Sequence, residues 1–169
     1  AIAAVDEIAT YDFAALTALN SETGLHRVQR AEGVGAEELA GLEFGENNSL
    51  VAQVTRTNHY LPIAAKVGER RLVVFTPDVG PADMESLIVL PLEFGGDVVA
   101  TLTLASRQPG AYPMETRAQL EVVTSAAAVS LVNARNYQTV EALATTDPLT
   151  GLFNRRLFSQ RLTDMLARS

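Results

Sequence analysis

Cysteine is absent from this 169-residue sequence, and so is tryptophan. Without a thiol there is no disulfide, thiolate zinc site, iron–sulfur cluster, thiolate haem ligand or cysteine nucleophile. A pigment attached through a thioether is excluded for the same reason. Histidine occurs twice, at His26 and His59, with 32 residues between them. No His-x-His or His-Glu-x-x-His spacing can therefore assemble a metal site, and the expected metal ligand set is none. Neither a Gly-x-x-x-x-Gly-Lys-Ser/Thr phosphate loop nor a Gly-x-Ser-x-Gly nucleophile elbow occurs. No nucleophile–base pair stands out, so the expected catalytic residues are none and no cofactor is evident. Long apolar runs are missing too. The charge-free stretch Val122–Ala134 has 13 residues, short of the roughly 20 that span a bilayer. No charged segment leads into an apolar one at the start, so no secretory leader is expected. The first residue is Ala1, which suggests a piece excised from a longer protein. A cysteine-free chain without a span fits a cytoplasmic location with no membrane contact.

Positive charge is the next scarcity. Lys and Arg number 13 against 20 Asp and Glu, for a net charge of −7. Residues 147–169 carry 4 of the basic and 2 of the acidic side chains, leaving 9 basic and 18 acidic before them. A body with net charge −9 repels a phosphate backbone, so nucleic acid is not an expected partner. The change of sign near Asp147 marks a boundary.

The residues that are present are globular in proportion, 47% apolar and 20% charged. Phe13–Leu19 reads as a buried strand, Asn20–Gly24 as a polar turn, and Leu25–Ala31 as the hairpin partner. Ala36–Gly41 reads as a short helical piece. Asn48 or Ser49 caps a helix over Leu50–Thr57, with Asn58 just past its end. Tyr60–Ile63 is a short strand candidate broken by Pro62, and 64–85 is loop with one strand-like run, Leu72–Phe75. LIVLPLEF and DVVATLTLA, joined by Gly95-Gly96, form a hairpin with a primed turn. Both faces of these strands are apolar, so the sheet is expected to be covered on both sides. Pro91 calls for a bulge or an unpaired N–H.

A long helix follows from about Met114 to Ala144. Leu120, Val123, Ala127, Leu131 and Ala134 form a stripe suited to packing on a sheet. A second stripe, Val122, Ala126, Val129, Asn133, Asn136, Val140 and Leu143, keeps the 4-3-4-3 spacing of a coiled-coil seam. It is expected to pair two copies, because helices leaving a domain need a partner; otherwise it is a solvated face. Short strands in hairpins, a few helices and a long last helix give an α+β class with an antiparallel sheet.

Two stretches now carry a resemblance. Residues 86–137 run hairpin, Ser-Arg-x-Pro-Gly loop, then a helix ending Ala-Arg-x-Tyr, and this order resembles the C-terminal half of GAF domains. With the upstream strands the resemblance covers about residues 10–140; a PAS domain is the nearest competitor, and the hairpin feeding a long exit helix fits GAF better. Asp147-Pro-Leu-Thr-Gly-Leu-Phe-Asn-Arg-Arg156 is similar to the segment that opens GGDEF diguanylate cyclase domains, with Asp147, Leu149, Thr150, Gly151, Leu152, Asn154, Arg155 and Arg156 at the matching positions. Asn154 could cap a helix over Arg155–Arg168, whose apolar face lacks a covering domain. Gly95-Gly96-Asp97 is a decoy for the GGDEF signature: it is a hairpin turn without the Glu-Phe.

The resemblance implies a GAF-like sensor over 1–140, an exit-helix linker over 141–148 and the truncated first helix of a GGDEF domain over 149–169. The chain itself is then no enzyme. It is the sensory half of a diguanylate cyclase, a cytoplasmic bacterial signalling protein that makes cyclic di-GMP from GTP with Mg, both implied only for the missing portion. A homodimer is implied, because that active site joins two GTP molecules held by two subunits. GAF pockets lie against the sheet, between segments that correspond here to about 47–60 and 66–85. Arg56, His59, Tyr60, Phe75 and Asp78 are the candidate ligand-binding residues there; Arg70-Arg71 reads as a solvated pair. The cyclic-nucleotide pattern of some GAF domains is not evident, and the GAF-fold methionine sulfoxide reductases need cysteine. The alternative function is a ligand-free dimerisation or protein-interaction spacer.

Overall fold

Five strands pair into one antiparallel sheet in a computed structural model, which describes residues 5–46, 48–61 and 72–145, the last five as backbone only. They are β1 (Phe13–Leu19), β2 (His26–Gly33), β3 (Glu43–Phe44), β4 (Ser86–Phe94) and β5 (Asp97–Ser106), and they lie in the order β3-β2-β1-β5-β4. Two helices accompany them, α1 (Leu50–Thr57) and α2 (Met114–Thr145), with a 3-10 turn at Ala36–Leu39. The fold is α+β, as the alternation of short strands and helices implies. The chain divides into two units, Ala1–Val129 and Ser130–Ser169. No helix among the described residues is long and apolar enough to cross a membrane.

Local chemistry sets the turns. Asn20 Oδ1 accepts from the N–H groups of Glu22 and Thr23, which closes the β1–β2 turn ahead of Gly24. Gly95 and Gly96 have φ of 66° and 95°. Two consecutive positive φ values are what a primed hairpin turn demands, and only glycine meets them without strain. The irregularity expected at Pro91 lies one residue later, between Leu92 and Glu93. Pro91 itself stays in register with Thr101. β4 is an edge strand, and Val89, two residues earlier, turns its N–H outward to Leu61. The nitrogen of Pro91 points the same way, so no ladder bond to β5 is lost. The Tyr60–Ile63 strand is reduced, within the described residues, to a single bridge between Leu61 and Val89.

Helix α1 is built as its sequence suggests. Ser49 caps it, its Oγ accepting from the Ala52 N–H at 3.2 Å, and Asn58 ends it in the left-handed region at φ 52°. Two more of its free N–H groups, on Leu50 and Val51, donate to the carbonyls of Val73 and Val74. Leu72–Phe75 is therefore not a strand. Its carbonyls serve the helix N-terminus, which must find acceptors somewhere.

The cross-strand registers assign every central side chain to a face. Phe13, Ala15 and Thr17 of β1 lie opposite Ala105, Thr103 and Thr101 of β5. Those in turn lie opposite Leu87, Val89 and Pro91 of β4. On this face Phe13, Ala15, Val28, Leu87, Val89 and Ala105 pack with Leu50, Val51 and Val54 of α1 and with Val74, Phe75 and Met84. The second face carries Ala14, Ala18, Ile88, Leu90, Leu92, Ala100, Leu102 and Leu104, all buried. Leu120 and Ala128, with Thr124 between them, are the buried ridge of α2. The ridge thus follows Leu120, Thr124 and Ala128. Val123 and Ala127 flank it half-buried; in the second unit Leu131 is half-buried and Ala134 exposed.

The loop between β5 and α2 is held to the sheet by side-chain bonds. Asp12 Oδ2 accepts from the Arg107 N–H at 2.7 Å and from Ser106 Oγ at 3.1 Å. Those donors hold the Asp12 carboxyl below its usual range. Ser86 Oγ donates to the Gln108 carbonyl and accepts from the Ala111 N–H.

Candidate functional site

The α1-covered face of the sheet has three polar side chains at its centre. Thr17, Thr101 and Thr103 are 0–1% exposed, and the hydroxyl oxygen of each is buried without a hydrogen-bond partner. Their positions follow from the register. Thr17 and Thr101 are a direct cross-strand pair, and Thr103 is two residues on along β5. Cross-strand Cβ atoms lie about 5 Å apart, and same-face neighbours along a strand lie roughly 6.6 Å apart, so the three hydroxyls form a compact triangle. Around them the registers set Ala15 and Val89 beside Thr103, Pro91 beside Thr101, and Val28 beside Thr17. No charged side chain sits next to them on these strands. α1 lies against β4 and β5 on the same side.

The lack of partners has a simple cause. In a helix a threonine hydroxyl turns back to a carbonyl one turn earlier, as Thr55 does to Val51 and Thr57 to Gln53. In a central strand the backbone groups are taken up by the ladder and point sideways. A hydroxyl standing upright on the sheet must be met from above. A buried hydroxyl left unmet costs about 1–3 kcal/mol, and three together are unusual in one small core. One molecule bearing hydrogen-bonding groups would satisfy all three at once.

At the rim of the same face stands His26, 4% exposed, its ring stacked on Phe44 with centroids 5.1 Å apart and planes 16° from parallel. Burial pushes the imidazole below its ordinary value, with the Glu46 carboxylate opposing. At neutral pH His26 is uncharged and behaves as a flat aromatic. Phe75 lies edge-on between Phe13 and Phe44, at 6.2 Å from each. It forms the floor of the core on this side.

The residues singled out from sequence each have their own surroundings. Phe75 is fully buried in that aromatic cluster. Arg56 pairs with Glu46 at 3.0 Å on the surface. His59 is exposed, its Nδ1 at 2.6 Å from the Thr57 carbonyl. Tyr60 lies under the Arg117 guanidinium, 5.7 Å from ring centroid to Cζ. Asp78 is exposed on the 72–85 loop. That loop encloses a cleft of about 600 Å³ lined by residues such as Pro77, Asp83 and Glu85, and none of the three threonines lines it. Arg70 and Arg71 lie outside the described residues. Among the described residues no group of three or more His, Asp and Glu side chains could hold a metal.

Sequence reasoning missed the threonines because threonine is an ordinary strand residue. The available signal was Thr101 and Thr103 at a spacing of two. That spacing puts two hydroxyls on one face of an otherwise apolar strand that must be buried on both sides.

The seam residues of α2 take solvent positions. In the first unit Val122 is 71% exposed, and Ala126 and Val129 are exposed with it. In the second, Asn133 and Asn136 are exposed and Val140 is 64% exposed. The side chain of Leu143 and the whole Asp147–Arg156 motif, with the helix expected after it, lie outside the described residues.

Comparison with protein-family models and with curated proteins gives no match. Solved structures do match. The GAF domain of a two-component sensor histidine kinase from Bacillus halodurans superposes with a TM-score of 0.68 at 18% identity, covering 81% of this chain and 92% of that one. The GAF domain of a phosphoenolpyruvate-protein phosphotransferase from Coxiella burnetii gives 0.65 at 15% identity and 76% of each chain. NreA from Staphylococcus aureus, mutated in its nitrate binding site, gives 0.53 at 18% identity, covering 66% of this chain and 83% of that one. The fold is therefore GAF-like, an antiparallel sheet with a long C-terminal helix.

Proposed function

We propose that this chain is the sensory domain of a diguanylate cyclase. It binds a small ligand against Thr17, Thr101 and Thr103 and controls cyclic di-GMP synthesis through a dimerising exit helix. The carrying observation is the triangle of buried hydroxyls that the protein leaves unmet. Valine would fill the same volume without that cost. A GAF-like fold suits the role, and a small molecule has precedent there in the nitrate binding site of the Staphylococcus aureus protein.

The output half of the proposal rests on α2 and on the Asp147–Arg156 motif. Val122, Ala126, Val129, Asn133, Asn136 and Val140 keep the heptad spacing, and every one is exposed. A second copy would bury the valines, and the two asparagines would set the register. By its resemblance, the Asp147–Arg156 motif opens a cyclase domain directly after the helix, with GTP and Mg belonging to that domain. A shift in helix packing is the bistable element such coupling requires. The spacer alternative keeps the dimer and dispenses with the ligand.

Native mass spectrometry of the 169-residue chain, set against its denatured mass, tests the reading. A dimer with added mass that vanishes in the Thr17→Val/Thr101→Val/Thr103→Val variant is the expected result. A dimer of bare chains favours the spacer. A bare monomer overturns the helix seam. If Asn133→Asp with Val140→Asp leaves both the dimer and the cyclase activity of the longer protein unchanged, the seam is refuted as well.

A further inference from the structure

Tyr60 stands between two parts of the fold that are far apart in sequence. Its neighbour Leu61 exchanges two backbone bonds with Val89: the Leu61 N–H donates to the Val89 carbonyl at 3.0 Å, and the Val89 N–H to the Leu61 carbonyl at 2.6 Å. Val89 is the register partner of Thr103 across β4 and β5. On its other side, the Tyr60 ring faces the Arg117 guanidinium at 5.7 Å, within cation–π range. Arg117 lies in the first turn of α2. Its Nε donates to the Tyr112 carbonyl at 2.7 Å, and its backbone N–H to the Pro113 carbonyl at 3.0 Å. The guanidinium is thus anchored to the start of the exit helix and cannot simply follow Tyr60. Consecutive links run Thr103–Val89–Leu61–Tyr60–Arg117, each a register pair, a pair of hydrogen bonds, a peptide bond or a ring contact.

The start of this segment is set by the end of α1. Asn58 ends α1 in the left-handed region, and its N–H closes the helix on the Val54 carbonyl. The chain leaves α1 there, with His59 Nδ1 2.6 Å from the Thr57 carbonyl.

We infer that Asn58–Leu61 is a latch through which a change at the threonine face reaches the first turns of α2, with Tyr60 and Arg117 as positioning residues. The inference rests on the reading of that face as a ligand site and supplies its regulation. A ligand seated on the three threonines presses on Val89 and its partner Leu61. Tyr60 then moves against an anchored guanidinium, and the strain is borne by α2. A cation–π contact of this exposure sets the scale at about a two- to fivefold change in the local opening of the helix.

Amide hydrogen exchange of the 169-residue chain, read at residues 117–121, tests this in a double-mutant cycle, with the amides of Val54–Thr57 in α1 as internal reference. Leu61→Pro removes the N–H that binds Val89. It is expected to speed exchange at 117–121 about two- to fivefold, and to add nothing in the Arg117→Ala background. Equal increments in both backgrounds, or no change in either, overturn the latch. If Leu61→Pro does not fold, the Tyr60 variants read the same contact. Tyr60→Leu should speed exchange at 117–121 while Tyr60→Phe, which keeps the ring face, leaves it unchanged; two indistinguishable variants overturn the latch. The ligand reading fails separately. A chain carrying no added mass with the coupling intact refutes the ligand and keeps the mechanical link, whereas added mass without coupling refutes the latch alone.

Discussion

Replacing Thr103 with valine should make the unliganded protein more stable. Thr103 is fully buried on a central strand, and its hydroxyl has no partner. Valine has the same branched shape, so packing against Ala15 and Val89 is kept and no cavity opens. What disappears is the cost of a buried, unmet hydroxyl, about 1–3 kcal/mol. In a chain of this size each kcal/mol moves the midpoint by roughly 2–4 °C, so Tm should rise by at least about 2 °C. Thr103→Ser is the control. It keeps the hydroxyl and removes a methyl, and should cost about 1 kcal/mol. Differential scanning calorimetry of the wild type and the two variants, freed of any bound molecule by denaturation and refolding, reads both signs. A Tm for Thr103→Val below that of the wild type would refute the reasoning, since it would mean the hydroxyl is already satisfied within the free protein. With ligand present the order should invert, because only the wild type gains from binding. A site that costs stability when empty and returns it when filled is the usual trade between stability and function.

His26 makes stability depend on pH. Its folded pKa is depressed by burial, so the unfolded state binds the proton more readily. Its stabilising share is whole above the ordinary histidine pKa of about 6.5 and is lost as pH falls below that. Urea midpoints between pH 7.5 and 5 should fall less steeply in His26→Phe than in the wild type. Ser49→Ala should cost about 1 kcal/mol by removing the cap on the Ala52 N–H of α1, checked by urea unfolding. Gly33→Ala should cost at least about 2 kcal/mol, because Gly33 has φ 92° and an added Cβ would meet the Asp12 carbonyl; thermal melts read this. Breaking the exposed Arg56–Glu46 pair with Arg56→Ala should move stability by less than about 1 kcal/mol, which the same melts check.

Local chemistry alone determined much of this protein. Phe13–Leu19 was legible as a buried strand from its unbroken apolar run. The Gly95-Gly96 turn was legible because only consecutive glycines between β-branched runs give a primed hairpin. The bounds of α1 were legible from Ser49 and Asn58, whose side chain and left-handed backbone act within one turn of themselves. The exit helix was legible from its length and periodicity. In each case the deciding contacts lie within a few residues along the chain.

Tertiary structure decided what depends on contacts between distant segments. Leu72–Phe75 has the composition of a strand, yet the Val73 and Val74 carbonyls go to α1, because a helix N-terminus must find acceptors for its free N–H groups. Pro91 does not displace the bulge to itself, because β4 is an edge strand and the missing N–H faces away from β5. The buried ridge of α2 runs through Thr124 rather than only the apolar positions, because its hydroxyl is met within the helix by the Glu121 carbonyl. Above all, Thr17 and Thr101 are 84 residues apart in number and become neighbours only when β1 pairs with β5. Threonine in a strand is ordinary by propensity. Three of them buried on one face, with every backbone group already engaged, make a demand for hydrogen bonds that only the assembled sheet creates.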